Sequence, residues 1–314
     1  MINIPSGIWP TMITPFTSSN KIDYTGIERL VEWYISKGVN GIFAMCQSSE
    51  MFYLTLDEKV SVIKSVLRAV NGRVPVIASG HTSYELKDQI KELSIIADTG
   101  IDALVLITNL LATDRKNQDD FKSNAEIIRK NIKHIPFGLY ECPYPYKFLI
   151  SNELLEWCAS AGGFIFLKDT CCDIETISER LTIAKDSSLK IYNANSATLL
   201  KSLELGAAGF SGVMANFHPE IYKWLYENYN KKTTYVNDVH DFISCMSNFE
   251  YLAYPQCAKY YLKRYLNVDE FCRKKMDVTL SDTNRMQLES LRNITYKLSN
   301  ELSIISGYDS KLMI

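Results

Sequence analysis

Phe164-Ile165-Phe166-Leu167-Lys168-Asp169-Thr170 decides how this chain folds. Four apolar residues stand in a row, with no polar residue between them, and then the run breaks into lysine, aspartate and threonine. A strand with water on one face alternates apolar and polar residues. A strand that does not alternate is covered on both faces, as in parallel sheets. An amphipathic stretch over 174–185 follows, and the strand–helix unit then recurs in both directions along the chain. Strands are expected at 8–13, 41–44, 76–79, 103–107, 137–140, 164–168, 189–193 and 210–213. Helices are expected at 24–37, 56–70, 85–98, 119–131, 153–161, 174–185, 197–205 and 220–230. In the second of these, Val60, Ile63, Val66 and Leu67 form one apolar stripe at helical spacing. Gly38, Asn71-Gly72 and Gly100 stop helices, since glycine takes the left-handed end of a helix without steric cost.

Eight strand–helix units in order predict an α/β chain folded as a (β/α)₈ TIM barrel. An open doubly wound sheet would usually show a glycine-rich first turn, and Thr14-Pro15-Phe16 does not supply one. After residue 230 the strands stop. Helices are expected at 236–249, 257–266 and 282–298, and Lys231-Lys232-Thr233-Thr234 marks the boundary. The expected organisation is a catalytic barrel over 1–230 and a C-terminal helical extension over 231–314.

Composition narrows the function. The 314 residues are 46% hydrophobic, enough for a large core. Lys plus Arg number 34 against 36 for Asp plus Glu, and the net charge of −2 argues against a dedicated nucleic-acid binder. No stretch approaches the ~20 apolar residues of a membrane helix, and the N-terminus lacks the pattern of a secretory signal. The eight cysteines are scattered and form no C-x-x-C pair. Reduced thiols and a cytoplasmic location are expected.

In such a barrel the reactive groups gather where the strands end. Lys168 ends the sixth strand, where partial desolvation favours the neutral amine that attacks carbonyls. On spacing alone, a lysine that snorkels to the rim or pairs with Asp169 is the more ordinary outcome. Tyr140 ends the neighbouring strand and offers a phenol for proton transfer. A structural hydrogen-bonded tyrosine is the ordinary alternative there. Ser48 and Ser49 follow the second strand and suit a carboxylate, or form a plain polar turn. Cys46, Cys142 and Cys171 fall near strand ends and are expected to cluster at the mouth. His81, His134, His218 and His240 show no metal-ligand spacing, so no metal site is expected. Gly206, Gly209 and Gly212 lie too late in the chain for a nucleotide loop, and no G-x-S-x-G is present.

Five stretches together resemble one family. Gly7-Ile8-Trp9-Pro10-Thr11-Met12-Ile13-Thr14-Pro15-Phe16 is similar to the opening strand of the dihydrodipicolinate synthase and N-acetylneuraminate lyase family of class I aldolases. Cys46-Gln47-Ser48-Ser49-Glu50 stands where that family has G-[ST]-T-G-E, and Tyr140-Glu141-Cys142-Pro143 where it has Y-N-x-P. The stretch 166–173 resembles its G-x-K-[DE]-x-x-x-D, with Phe166 for the glycine. The stretch 206–216 resembles G-x-x-G-x-x-S-x-x-A-N, with Gly212 for the serine.

The resemblance implies that Lys168 forms a Schiff base with a 2-oxo acid and that Tyr140 relays protons. It implies that Ser48 and the backbone around Ser49 hold the substrate carboxylate, with Gln47 and Ser211 also lining the substrate site. Glu50 is expected to be structural. No metal or organic cofactor is implied, because the lysine supplies the electrophile. The expected partner is a small 2-oxo acid, and a homo-oligomer, tetramer or dimer, is implied. Four departures bear on the substrate. Gln47 replaces the family's first hydroxyl, and Ser49 replaces its glycine. Asn109-Leu110-Leu111 contains no aromatic, and Pro145 replaces an arginine, with Lys147 nearby. The expectation is a lyase or aldolase acting on a sialic-acid-like or 2-keto-3-deoxy sugar acid. The dihydrodipicolinate synthase reaction and a non-catalytic 2-oxo-acid-binding barrel are the alternatives.

Overall fold

Strands with no face to give to water need cover on both sides, and the chain provides it by closing them into a ring inside helices. The computed structural model describes residues 4–112, 117–231, 233–275 and 278–304. Lys232 of the boundary stretch, residues 1–3 and residues 305–314 of the expected extension lie outside the described residues. The barrel units run β1 (Gly7–Ile8), α1 (Tyr24–Ser36), β2 (Ile42–Met45), α2 (Leu56–Val70), β3 (Val76–Ala78), α3 (Leu86–Ala97) and β4 (Ala103–Ile107). They continue with α4 (Thr108–Leu111), α5 (Gln118–Asn131), β5 (Phe137–Tyr140), α6 (Asn152–Ala161), β6 (Phe164–Asp169) and α7 (Ile174–Ala184). The last are β7 (Lys190–Asn193), α8 (Leu199–Glu204), β8 (Gly209–Phe210) and α9 (Pro219–Asn228). Every strand pair is parallel, in the order β1-β8-β7-β6-β5-β4-β3-β2.

The ring closes just beyond β1. Gly7 and Ile8 pair with Gly209 and Phe210 of β8. Thr11 then forms a parallel bridge with Phe43 of β2, flanked by Met12 N–H to Phe43 O and Phe43 N–H to Pro10 O, both at 3.0 Å. The first strand, expected over 8–13, is therefore divided between its two neighbours. Pro10 has no N–H, so it lies naturally at the point where pairing changes hands. Gly209 is required at the seam: a Cβ there would lie 1.9 Å from Gly7 O. The eighth strand ends at Phe210, earlier than expected, because Val213–Asn216 winds into a short 3₁₀ turn.

Aromatic rings fill the barrel below its mouth. Phe166 lies 5.7 Å from Trp9, 6.1 Å from Phe43 and 4.6 Å from Tyr192, centroid to centroid. Beyond α9 come α10 (Thr234–Met246), a 3₁₀ turn at Ser247–Tyr251, α11 (Gln256–Leu266) and α12 (Asp282–Glu301). The helix expected to reach 249 ends at Met246. No helix among the described residues is long and apolar enough to cross a membrane.

The C-terminal helices are fastened to the barrel through Glu50. Lys259 Nζ of α11 lies 2.6 Å from Glu50 Oε1, with both side chains buried, and also donates to Phe271 O at 2.7 Å. Lys274 N–H donates to Glu50 Oε2 at 2.8 Å. Glu50 therefore works as the expected structural residue, in a left-handed backbone conformation with φ 60°. Removing one partner of a buried ion pair leaves an uncompensated charge, at a cost of about 3–5 kcal/mol. Lys259→Met is expected to lower the urea midpoint by a corresponding amount, and an unchanged midpoint would show that the pair does not hold the helices to the barrel.

Candidate active site

Strand register decides which side chains share the mouth. Tyr140 of β5 pairs with Lys168 of β6, Lys168 with Tyr192 of β7, and Tyr192 with Gly209 of β8. Tyr192 belongs to the aromatic plug inside the barrel, so this row faces inward. The alternating residues face the helices: Asp169 meets Arg180 of α7, and Phe210 stacks on Tyr222 of α9 at 4.1 Å. Lys168 and Tyr140 therefore sit side by side on top of the plug. The Lys168 Nζ is 4.6 Å from the Tyr140 ring centroid, and the two residues are only 4% and 3% exposed.

That burial sets the proton chemistry. Desolvation lowers the Lys168 amine below the ordinary lysine value, partly opposed by Cys46, Cys142 and Glu250. Desolvation also holds the Tyr140 phenol well above its usual range, reinforced by Cys142 and Cys46. Both groups are thus biased toward neutral forms. The Cys142 thiol is pushed up to about 11 by burial, which makes it a poor nucleophile. Gln47 Oε1 receives Tyr140 Oη at 3.4 Å and lies 3.6 Å from Cys142 Sγ.

The loop after β2 divides its two serines. Ser49 Oγ is spent on the backbone: it donates to Met12 O at 2.6 Å, lies 3.0 Å from Ala44 O, and accepts Cys46 N–H at 3.1 Å. Its side chain is a splint between the first two strands, its N–H donates to Cys46 O at 3.1 Å and its carbonyl accepts Thr14 Oγ1 at 2.9 Å, so Ser49, expected to line the substrate site, is spent within the loop. Ser48 Oγ donates to Thr11 Oγ1 at 3.2 Å and also bonds the phenol of Tyr254. Asn216 Nδ2 donates to Tyr254 Oη at 3.1 Å and to Thr11 O at 2.9 Å, and Tyr34 Oη donates to Asn216 Oδ1. Tyr254 precedes α11, and nothing in its local sequence announces it as a mouth residue. Ser211 lies two residues beyond inward-facing Gly209, so alternation points it inward as well. Its hydroxyl is buried without a hydrogen-bond partner among the described residues.

Two buried networks hold the mouth from outside. Arg180 Nη2 lies 2.8 Å from Glu141 Oε1, Nη1 lies 3.2 Å from Glu141 Oε2, and Nη1 also contacts Asp169 Oδ2. In the second, Asn109 Nδ2 donates to Cys142 O at 2.8 Å, to Tyr144 O at 2.9 Å and to Tyr146 O. The stretch 109–111, which lacks the family's aromatic, belongs to α4, whose four residues are all buried. His81 belongs to this framework: its Nε2 accepts Ile107 N–H at 2.8 Å, so Nδ1 donates to Gln89 Oε1 at 3.0 Å. Burial holds that imidazole down at about 4. The expected cysteine cluster is only partly assembled. Cys46 and Cys142 adjoin Lys168, whereas the Cys171 thiol turns to Asp173 O at 3.5 Å, and Cys172 sits on the rim near Lys147 and Glu250.

A family model described as the dihydrodipicolinate synthetase family matches residues 4–291. The chain is 28% identical over 237 residues to 4-hydroxy-tetrahydrodipicolinate synthase of Staphylococcus epidermidis, covering 76% of this chain and 79% of that one. It is 29% identical over 209 residues to the enzyme of the same name from Clostridium perfringens, covering 67% and 70%. Dihydrodipicolinate synthase from Thermotoga maritima superposes with a TM-score of 0.84 at 18% identity, over 94% of this chain and 100% of that one. A prophage protein of the dihydrodipicolinic acid synthase family from E. coli K12, solved with pyruvate, superposes at 0.83 with 20% identity, over 93% and 99%. With the barrel, the strand-end lysine and a family match across nearly the whole chain in agreement, this protein belongs to the dihydrodipicolinate synthetase family and is a class I aldolase.

Proposed function

We propose that Lys168 forms a Schiff base with pyruvate or a close 2-oxo acid and that Tyr140 relays the protons. The observation that carries this reading is the buried amine 4.6 Å from the Tyr140 ring on the adjoining strand end. A desolvated lysine is an available nucleophile. Its nitrogen attacks the C2 carbonyl, and the oxygen takes a proton to give a carbinolamine. Loss of water then leaves a protonated imine. Tyr140, neutral at working pH, can give the proton to the departing hydroxyl and recover one later. The imine withdraws electrons from the neighbouring carbon, so a C–C bond there can form or break. The Ser48 hydroxyl and the backbone N–H groups of Gln47 and Ser48 hold the carboxylate, with Gln47 fixing the phenol and Ser211 lining the pocket.

Two readings of the second substrate have support. The names of the relatives favour condensation of pyruvate with aspartate semialdehyde, the 4-hydroxy-tetrahydrodipicolinate synthase reaction. The mouth itself favours a sialic-acid-like or 2-keto-3-deoxy sugar acid. Gln47 stands where the family has a hydroxyl, buried α4 offers no tyrosine, and Pro145 replaces the arginine. A polyhydroxylated substrate can supply part of the missing relay from its own hydroxyls. Release of pyruvate from N-acetylneuraminate, set against consumption of aspartate semialdehyde with pyruvate, separates the two. Turnover on the order of 1–10³ s⁻¹ identifies the substrate.

Pyruvate followed by borohydride is expected to leave a covalent adduct on the Lys168 peptide, detected by mass, and none in Lys168→Ala. The trapping rate should rise with pH and inflect below 10.5, the ordinary lysine value, because burial disfavours the ammonium. An inflection at or above that value would show a solvated lysine. Tyr254→Phe removes the hydrogen bond to Ser48. With a single neutral bond worth about 0.5–1.5 kcal/mol, the KM for pyruvate is expected to rise roughly two- to tenfold. An unchanged KM would free Tyr254 of any part in placing the carboxylate.

A further inference from the structure

Two polar groups at the mouth have no share in Schiff-base formation. One is Ser211, just past β8, whose buried hydroxyl has no hydrogen-bond partner among the described residues and which strand alternation turns inward. The other is Glu250, from the C-terminal helices. Its turn, Ser247–Tyr251, packs against Val213–Asn216, the turn that follows Ser211. The Glu250 carboxylate interacts electrostatically with Lys168 at the end of β6, with Cys172 in the next loop and with Tyr222 on α9, and it bonds Tyr251. These neighbours come from β6, the loop after it, and the helix behind β8. With the packing of the two turns, these couplings put Glu250 at the β6–β8 edge of the barrel end that carries Lys168.

We propose that Ser211 and Glu250 form the subsite for the aldehyde partner and select an aldehyde carrying hydrogen-bond donors, hydroxyl or ammonium, over one whose only polar group is a carboxylate. This rests on the reading that Lys168 carries the 2-oxo acid. Burial raises the Glu250 carboxyl above its ordinary value, opposed by Lys168 and by the bond to Tyr251; in its ionised form it can only accept hydrogen bonds, so it bonds a hydroxyl or an ammonium and repels a second carboxylate. The Ser211 hydroxyl gives or accepts according to the ligand. A carboxylated partner would need a guanidinium for bidentate recognition, and Pro145 stands where the family has its arginine. Lys147, exposed on the rim near Cys172, is screened by water and offers no comparable hold. Discrimination thus comes from repulsion of the wrong group as much as from attraction of the right one.

Three aldehydes separate these terms when condensed with pyruvate on the whole protein. Glyceraldehyde carries hydroxyls and no charge. Aspartate semialdehyde carries an ammonium and a carboxylate, and succinate semialdehyde keeps the carboxylate without the ammonium. Borohydride trapping of pyruvate on the unaltered chain is measured first, and its failure would overturn the Lys168 reading and the subsite with it. Given trapping, kcat/KM for glyceraldehyde or aspartate semialdehyde is expected to exceed that for succinate semialdehyde by roughly tenfold or more. Whichever of the two leads identifies the donor as hydroxyl or ammonium. Glu250→Gln should shrink that ratio about tenfold, with the KM for the aldehyde moving more than the KM for pyruvate. Ser211→Ala should raise the KM for the preferred aldehyde, and Glu250→Arg should turn preference toward succinate semialdehyde. Equal use of all three aldehydes, or ratios that Glu250→Gln and Glu250→Arg leave unmoved while trapping persists, would overturn the subsite alone.

Discussion

The mouth depends on a guanidinium that never enters it. Arg180 lies behind the strands and contacts both Glu141 and Asp169, the residues that follow Tyr140 and Lys168. Side chains alternate along a strand, so holding the outward carboxylates fixes the inward amine and phenol. Glu141 carries the tie further by accepting Thr170 N–H at 3.0 Å and Ile150 N–H at 3.1 Å. Such a cluster is costly to bury and stabilises little against an apolar equivalent. Its worth here is geometric. Where the family motif has asparagine after the tyrosine, this chain has a glutamate with an arginine to meet it.

What could be read from the sequence was what local physics determines. The run from Phe164 to Leu167 could only be a buried strand, and a lysine at its end could only sit at a strand end. The same logic gave the order of eight units and put Tyr140 and Ser48 at strand ends, while a site role for either came only with the family resemblance. It did not find α4, because Asn109-Leu110-Leu111 becomes helical through side-chain bonds to residues 142–146 and to Gln89, which are far away in sequence. Nor did it find Tyr254 or Glu250. Both lie in the connection between α10 and α11, and only the packing of α11 against the barrel brings them to the mouth. The overlong first and eighth strands reflect ring closure, a constraint between chain ends that no local window contains. Ser49 shows the same limit within one residue: its type suggests a ligand contact, while its neighbours have already taken the hydroxyl.

The site accordingly has two layers of origin. In the proposed reaction the Schiff-base layer belongs to the strands, where hydrogen-bonded pairing and the aromatic plug below leave little freedom. The recognition layer belongs to the loop after β2, to the end of β8 and to the C-terminal helices. That division accounts for a chain that shares the family's barrel and lysine while altering residues around them. Glu50 joins the layers, since the loop carrying Gln47 and Ser48 and the helix following Tyr254 meet at its carboxylate.

The inward folding of α4 carries a consequence for how this stretch can vary. Its four residues are spent on the chain's own interior, with Thr108 Oγ1 on Phe148 O at 2.9 Å and Asn124 Nδ2 on Leu111 O at 2.8 Å. Asn109 meanwhile gathers the carbonyls of Cys142, Tyr144 and Tyr146. A substitution in this turn is therefore felt first in the loop after β5, and through it in the setting of Tyr140, before it touches any ligand.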